Sequence, residues 1–498
     1  MMGRRICRSR ALSLRVEGVK NIFLKTDVVI VGSGLGGLEV ALGLARKGLK
    51  PVVLERQGQA GGCMQSFRRG RLRLDTGLHY VGGLDEGESL NCEFGKYGLM
   101  QLPWQKMAKD GFEEIYIGGR CFRWRMGLEG FIDGMKADFP NESEGLDRFR
   151  DMLTSTDNEW LMSTGCWDFL SGIFHDKTLI EVLSAPAMCK MELASETLPL
   201  FTYQHGIAPF IRSSWRLKGD GSRIVDCLVA QIRELGGEVL TGKEVVELCE
   251  DGGRIIGAVT ADGERYDAGW FVCDCHPAVM CQLVKQSAVM KNVFRRRMTG
   301  LQNTRGMFTV HIGLKRGALE YFNSNRIVLG GDSCWDYAVG SDLDVRNVML
   351  SCRVPENGEM AENIDILTPM DWCVVEPFVG SAPMKRSKEY DVMKSRVAQS
   401  CIGLAETAVP HLSDMIDGVW TSSPLTYSDY NRTPNGSAFG FRKDWNNPLM
   451  TVVSPKTPIP NLLMTGQCLM VHGLEGVTLT AGYTIREIEN GILKVENR

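Results

Sequence analysis

Long apolar runs are missing from this 498-residue chain, and none reaches the roughly 18–20 residues that a bilayer-spanning helix needs. Any membrane contact is therefore expected to be peripheral. Net charge is also scarce: 57 basic against 60 acidic residues leave −3, so no overall field points to nucleic acid or to an acidic partner. The 16 cysteines form no CxxC pair, and no apolar secretory core precedes them, which fits a reducing cytoplasm better than a disulfide framework. Cys273-Asp274-Cys275-His276, with Cys281 nearby, lacks the second paired half-site that zinc usually requires, so it is read as the end of a buried strand and no metal is expected. Repeats and low-complexity linkers are absent as well. Hydrophobic residues at 44% and charged residues at 23% describe an ordinary globular protein and exclude disordered, collagenous and coiled-coil classes.

Charge is unevenly placed. Residues 1–25 carry seven Lys or Arg against Glu17 alone, and are read as a basic extension, with a membrane-surface contact or organelle targeting as alternatives. Glycine is plentiful, with 56 residues where an average near 7% would give fewer, which favours tight turns and loops that hug a ligand.

The strongest local signal starts at Thr26. Asp27-Val28-Val29-Ile30-Val31 is a short β-branched run that predicts a buried parallel strand, and Gly32-Ser33-Gly34-Leu35-Gly36-Gly37 follows at once. Leu38, Ala41, Leu42 and Ala45 then recur at helical spacing until Gly48, before the strand Pro51-Val52-Val53-Leu54. This is a βαβ unit carrying G-x-G-x-x-G, with Glu55 at the end of its second strand. In that setting Gly32 permits the turn, Gly34 lets the backbone approach a pyrophosphate, Gly37 allows close helix packing, and the helix N-terminus attracts negative charge. Glu55 would accept hydrogen bonds from ribose hydroxyls.

Later segments extend the nucleotide fold. A helix is expected over Arg223–Leu235, followed by strands at Glu238–Leu240, Val245–Leu248 and Arg254–Thr260. The run Trp270–Cys273 is expected to close these as a β-meander. Asn461–Gly466 reads as strand and glycine turn, and Thr478–Asn490 as a final helix. The expected fold is α/β: a discontinuous Rossmann-like dinucleotide-binding domain (26–100, 219–290 and 455–494), which the resemblance below makes an FAD-binding domain, with an inserted α+β substrate domain (101–218 and 291–454). Glu159–Phe174 carries many large apolar side chains, for which core packing is preferred over a lipid-facing or tunnel-lining helix.

Two resemblances refine this. Leu54-Glu55-Arg56 followed by Ala60-Gly61-Gly62-Cys63 resembles the extended dinucleotide motif of FAD-containing oxidoreductases. Glu244-Val245-Val246 is similar to their adenine-side strand, and Thr465-Gly466-Gln467 with Leu474-Glu475-Gly476-Val477 to their C-terminal flavin loop. Gly61-Gly62-Cys63 with Asp75-Thr76-Gly77-Leu78-His79-Tyr80-Val81-Gly82 resembles the phytoene desaturase, carotenoid isomerase and retinol saturase family, and Gly77–Tyr80 leans towards the retinol saturase branch. Lys218–Ser222, Ser423–Thr426 and Gly436–Gly440 are similar to further elements of that family. Gln467 departs from the acidic residue common there, and Leu217 from the proline that usually precedes the Lys-Gly element.

The resemblance implies an FAD-dependent oxidoreductase that saturates, desaturates or isomerises double bonds of an apolar polyisoprenoid, carotenoid or retinoid-like lipid. Its FAD contacts would come from Gly32, Gly34, Gly36, Gly37, Glu55, Arg56, Gly61, Gly62, Cys63, Val245, Gly466, Gln467, Gly476 and Val477. With one such glycine motif, electrons would be exchanged with NAD(P)H, a quinone or a redox protein. His79 and Tyr80 are the candidate proton-handling residues, since imidazole titrates near neutral pH; Tyr203, His205, Tyr427 and Tyr430 are weaker candidates. Arg68 and Arg69 read as a solvated basic turn. Two other readings stay open: a flavin oxidase of amines or another small amphipathic substrate, and a flavoprotein without turnover that binds a membrane surface or a partner.

Overall fold

The computed structural model describes residues 26–383 and 385–496, so the basic extension at 1–25 lies outside the described residues. Strand β1 (Val28–Val31) is buried at every position and pairs in parallel with β2 (Pro51–Leu54), the helix α1 (Leu35–Ala45) crossing between them. Three more parallel strands complete the sheet, in the order 238–240, β2, β1, 270–273, 462–464. Both faces are covered, as a continuous β-branched run requires. Val28 and Ile30 face α1 and the helices Ser222–Glu234 and Gly473–Glu496, while Val29 and Val31 face Leu248, Ile255 and Tyr266 of a three-stranded antiparallel layer.

That layer corrects one expectation. The meander consists of Val245–Asp251, Arg254–Thr260 and Arg265–Tyr266, while Trp270–Cys273 leaves it to pair between β1 and Leu462–Met464. Phe271, Val272 and Cys273 have no exposed surface. A run that is apolar on both faces belongs inside a two-sided parallel sheet, not at the edge of a half-exposed layer. The last helix also starts earlier than its periodicity suggested, at Gly473, which puts Leu474–Val477 in its first turn instead of a loop.

The two inserted stretches share a seven-stranded sheet in the order 416–422, 306–314, 363–370, 347–352, 325–329, 113–117, 120–124. Its longest strand, Gly306–Leu314, is buried at all nine positions. Residues 325–329 and 113–117 pair in parallel and the other neighbours are antiparallel. A small sheet of 81–82, 214–217 and 104–106 joins this body to the nucleotide fold. There the buried Arg216 donates to Ser324 O at 2.8 Å, Asn325 Oδ1 at 2.7 Å and Phe322 O at 3.3 Å, fixing one sheet to the other. Residues 158–173 form two short helices around Gly165 whose apolar faces enter the core. Among the described residues no helix is long and apolar enough to cross a membrane.

Candidate active site

Residues just beyond the ends of four parallel strands, Gly32, Glu55, Asp274 and Thr465, border a cavity of about 400 Å3 that continues into the inserted body. Ligands bind α/β sheets at this edge because helix N-termini and free backbone amides converge there. The turn after β1 is packed backbone to backbone. A Cβ on Gly37 would lie 2.5 Å from Gly32 O, and one on Gly62 would lie 3.2 Å from Gly34 Cα. The N-cap residue of α1, Gly34, supplies no side-chain cap, and the Gly34 and Gly37 amides face the Asp274 carboxyl.

Glu55 is buried and bonds inward. Its Oε2 accepts from Ser33 N at 3.1 Å and Ser33 Oγ at 2.6 Å, and its Oε1 accepts from Gln57 N at 2.7 Å. Ser33 Oγ also accepts from Gly61 N at 3.1 Å, so one hydroxyl ties together the glycine turn, the acidic strand end and the second glycine pair. Arg56 donates to the carbonyls of Asp429 at 2.8 Å and Tyr430 at 2.6 Å, bringing the segment 424–431 over the cavity. Gln467 donates to Ala438 O at 3.2 Å. Burial pushes the Cys63 thiol up to about 11, which leaves it an unreactive wall residue beside Asn431.

Of the residues read as cofactor contacts, Gly32, Gly34, Gly36, Glu55, Arg56, Gly61, Gly62, Cys63, Val245, Gly466, Gln467 and Val477 border the cavity. Gly37 and Gly476 lie behind it. Gly37 serves helix–strand packing, and a Cβ on Gly476 would strike Val471 O.

On the other side, Tyr80, Phe210, Met307, Met349, Leu367 and Phe439 supply an apolar and aromatic wall. His79 reaches it with Nδ1 3.8 Å from Asp365, whose other oxygen holds His311 Nδ1 at 2.7 Å. Burial drives His79 down to about 4, against the pull of Asp365, so its imidazole is neutral at pH 7 and does not titrate there as free imidazole would. The Tyr80 hydroxyl donates to the buried Glu113, and burial together with that carboxylate raises the phenol well above its usual range. His205, Tyr427 and Tyr430 also border the cavity, whereas Tyr203 is a core residue donating to Leu183 O at 2.8 Å.

A model of the NAD(P)-binding Rossmann-like domain matches residues 30–92. All-trans-retinol 13,14-reductase of Macaca fascicularis is 24% identical across 91% of this chain and 83% of its own length. Phytoene desaturase (lycopene-forming) of a Paracoccus species is 24% identical across 48% of this chain and 52% of its own. Similarity to proteins of the phytoene desaturase, carotenoid isomerase and retinol saturase family thus extends over most of the chain. Solved structures agree on the fold: an oxidoreductase from Methanosarcina mazei superposes with TM-score 0.65 at 15% identity, covering 92% of this chain and 100% of that one. Putrescine oxidase bound to putrescine gives 0.63 at 12% identity, covering 95% and 100%.

Three site features of this oxidoreductase belong to no motif read from the sequence. Ser33 occupies a variable position of the glycine motif. Asp274 follows a strand end, is buried against Gly34 and Gly36, and has an Oδ2 without a hydrogen-bond partner. Burial pushes its carboxyl up to about 7, opposed by the Gly37 and Gly34 amides. Lys190 and Glu113 form a buried pair behind Tyr80, with Nζ 3.5 Å from Glu113 Oε1. The unpartnered Asp274 and Thr465 oxygens, an α1 N-terminus without a side-chain cap, and glycines at 34 and 36 where a Cβ would strike Asp274 and Thr465 together fit a dinucleotide.

Proposed function

We propose that the protein is an FAD-dependent oxidoreductase acting on carbon–carbon double bonds of an apolar polyisoprenoid, carotenoid or retinoid-like lipid, with saturation the favoured direction. The observation that carries this reading is a single cavity running from a dinucleotide cradle to a wall of Met, Leu and aromatic side chains. Similarity to a retinol reductase over most of both chains supports the direction.

In this reading Gly32, Gly34, Gly36 and the α1 N-terminus hold the pyrophosphate, Glu55 the ribose, and Val245 the adenine side. Gly61, Gly62, Cys63, Gly466, Gln467 and Val477 enclose the flavin end, with Arg56 holding the segment that covers it. A bound flavin supplies hydride and electron transfer. The protein's own part is to bind, orient and exclude water. The apolar wall strips solvent from a lipid chain, and His79, with Asp365 3.8 Å away, offers a neutral imidazole at the wall. Electrons would come from a diffusible donor such as NAD(P)H, a quinone or a redox protein.

An amine substrate fits the substrate side less well. Of the buried carboxylates behind the wall, Glu113 is already engaged by Tyr80 and Lys190 and Asp365 by His311, and the Lys190 cation opposes an incoming ammonium. Anaerobic incubation of the reduced and, separately, of the oxidised protein with retinol, a carotenoid or an amine, followed by mass analysis, tests the assignment. A product heavier by two hydrogens is expected. Product lighter by two hydrogens, or changed only in geometry, would move the assignment to desaturase or isomerase, and oxidation of amines alone would overturn it.

A further inference from the structure

We infer that Lys190 is the proton donor of this site, its ammonium presented to the polyene by Glu113 and Tyr80; the inference rests on the proposed lipid reaction. The geometry is specific. Lys190 follows the helical turn Ala185–Ala187 and borders the cavity, yet its side chain is only 9% exposed. Nζ lies 4.0 Å from the centre of the Phe210 ring and 5.0 Å from that of Tyr80, so two aromatic faces stabilise the cation where water is scarce. Glu113, fully buried on the strand 113–117, receives Nζ at 3.5 Å and the Tyr80 hydroxyl on the same oxygen, and its second oxygen is unpartnered. The Lys190 carbonyl accepts from His472 Nε2 at 2.7 Å, which anchors the residue to the segment leading into the last helix.

A pair like this is poor at stabilising a fold, because desolvating two charges offsets their attraction and apolar side chains of the same volume would pack at lower cost. It is suited to proton transfer. Burial lowers the proton affinity of the Lys190 amine and raises that of Glu113, with Cys189 and Tyr80 the other titratable neighbours and Arg216 acting on Glu113 and Tyr80. Saturating a double bond needs one hydride and one proton. A bound reduced flavin would supply the hydride for the C–H bond at one carbon, with the π pair moving to the other. That carbon takes the proton as the Lys190 N–H bond breaks, leaving a neutral amine that Glu113 or solvent reprotonates.

The test uses holoenzyme of wild type, Lys190→Met, Lys190→Arg and the double variant Lys190→Met/Glu113→Gln, which removes both charges so that no unpaired carboxylate remains to disturb folding. In Lys190→Met and the double variant, reoxidation of the reduced flavin by retinol in stopped flow is expected to slow by about 10²–10⁴-fold. Flavin content should stay unchanged, and Lys190→Arg should recover little. An independent readout is reductive trapping: a polyene aldehyde with cyanoborohydride at neutral pH should label Lys190, and retinol should protect it. Wild-type rates in both Met variants, or trapping that spares Lys190, overturns the inference while leaving the lipid reaction standing. Failure of the wild type itself to be reoxidised by any polyene overturns the proposed function.

Discussion

Asp274→Asn gives the most exacting check on the cofactor cradle. The carboxyl is buried against Gly34, Gly36 and Gly466, its Oδ2 has no hydrogen-bond partner, and its proton affinity is raised from the ordinary 3.8 to about 7. A carboxyl whose folded value exceeds its unfolded value makes the fold bind more protons between those values, so stability falls as pH rises from about 4 to 7. At about 1.4 kcal/mol for each tenfold change in proton affinity, the penalty above pH 8 reaches roughly 4 kcal/mol at most. Asn keeps the shape, accepts from the Gly34 and Gly37 amides, and turns a donor towards the cavity. It should stabilise the protein by roughly 1–3 kcal/mol at pH 8 and by nearly nothing at pH 5, since part of the penalty is returned through imperfect hydrogen bonds. Urea denaturation of the flavin-free protein at both pH values measures this. FAD affinity should also fall for wild type as pH rises through 7, because an ionised Asp274 repels the phosphates, and stay flat for the variant. A gain in stability that is equal at both pH values, or a loss at pH 8, refutes the reasoning.

Other consequences are open to direct measurement. Gly37→Ala puts a methyl group 2.5 Å from the Gly32 carbonyl, which cannot move without parting α1 from β1; a loss of about 1–3 kcal/mol and much reduced flavin content on purification are expected. Arg216→Met leaves the Asn325 side chain and the Phe322 and Ser324 carbonyls buried without their donor, so thermal denaturation should show a loss of about 3–5 kcal/mol, and a neutral result would remove its assigned role between the two sheets. With flavin saturating, the pH profile of kcat/KM should lack a limb near 6.5, because burial holds His79 near 4, and a limb there that vanishes in His79→Gln would contradict that electrostatic reading.

Much of the nucleotide fold is legible because its signals are local: a β-branched run, a glycine turn, an apolar period and an acidic strand end all fall within residues 27–55. The path of Trp270–Cys273 is not legible in the same way. Four apolar residues after two antiparallel strands look like a third, and only pairing with β1 and with residues almost two hundred positions later decides otherwise. The seven-stranded sheet is hidden for the same reason, since it joins strands of the second insert to a hairpin of the first through a long-range parallel pair. Lys190 stands between Met and Cys neighbours with no motif around it. Glu113 did leave a trace, because it shares its strand face with the fully buried Ile115, and a period of two places its carboxylate inward. Asp274 sits one residue beyond a strand whose position had first to be known.

The central claim is that one cavity brings a flavin and a polyene together, and an anaerobic flavin spectrum of the purified protein tests it most directly. Reduced with dithionite and then mixed with retinol or a carotenoid, the protein should regain the absorbance of oxidised flavin as the polyene is consumed. A protein that binds no flavin, or whose reduced flavin is untouched by every polyene offered, would contradict the account.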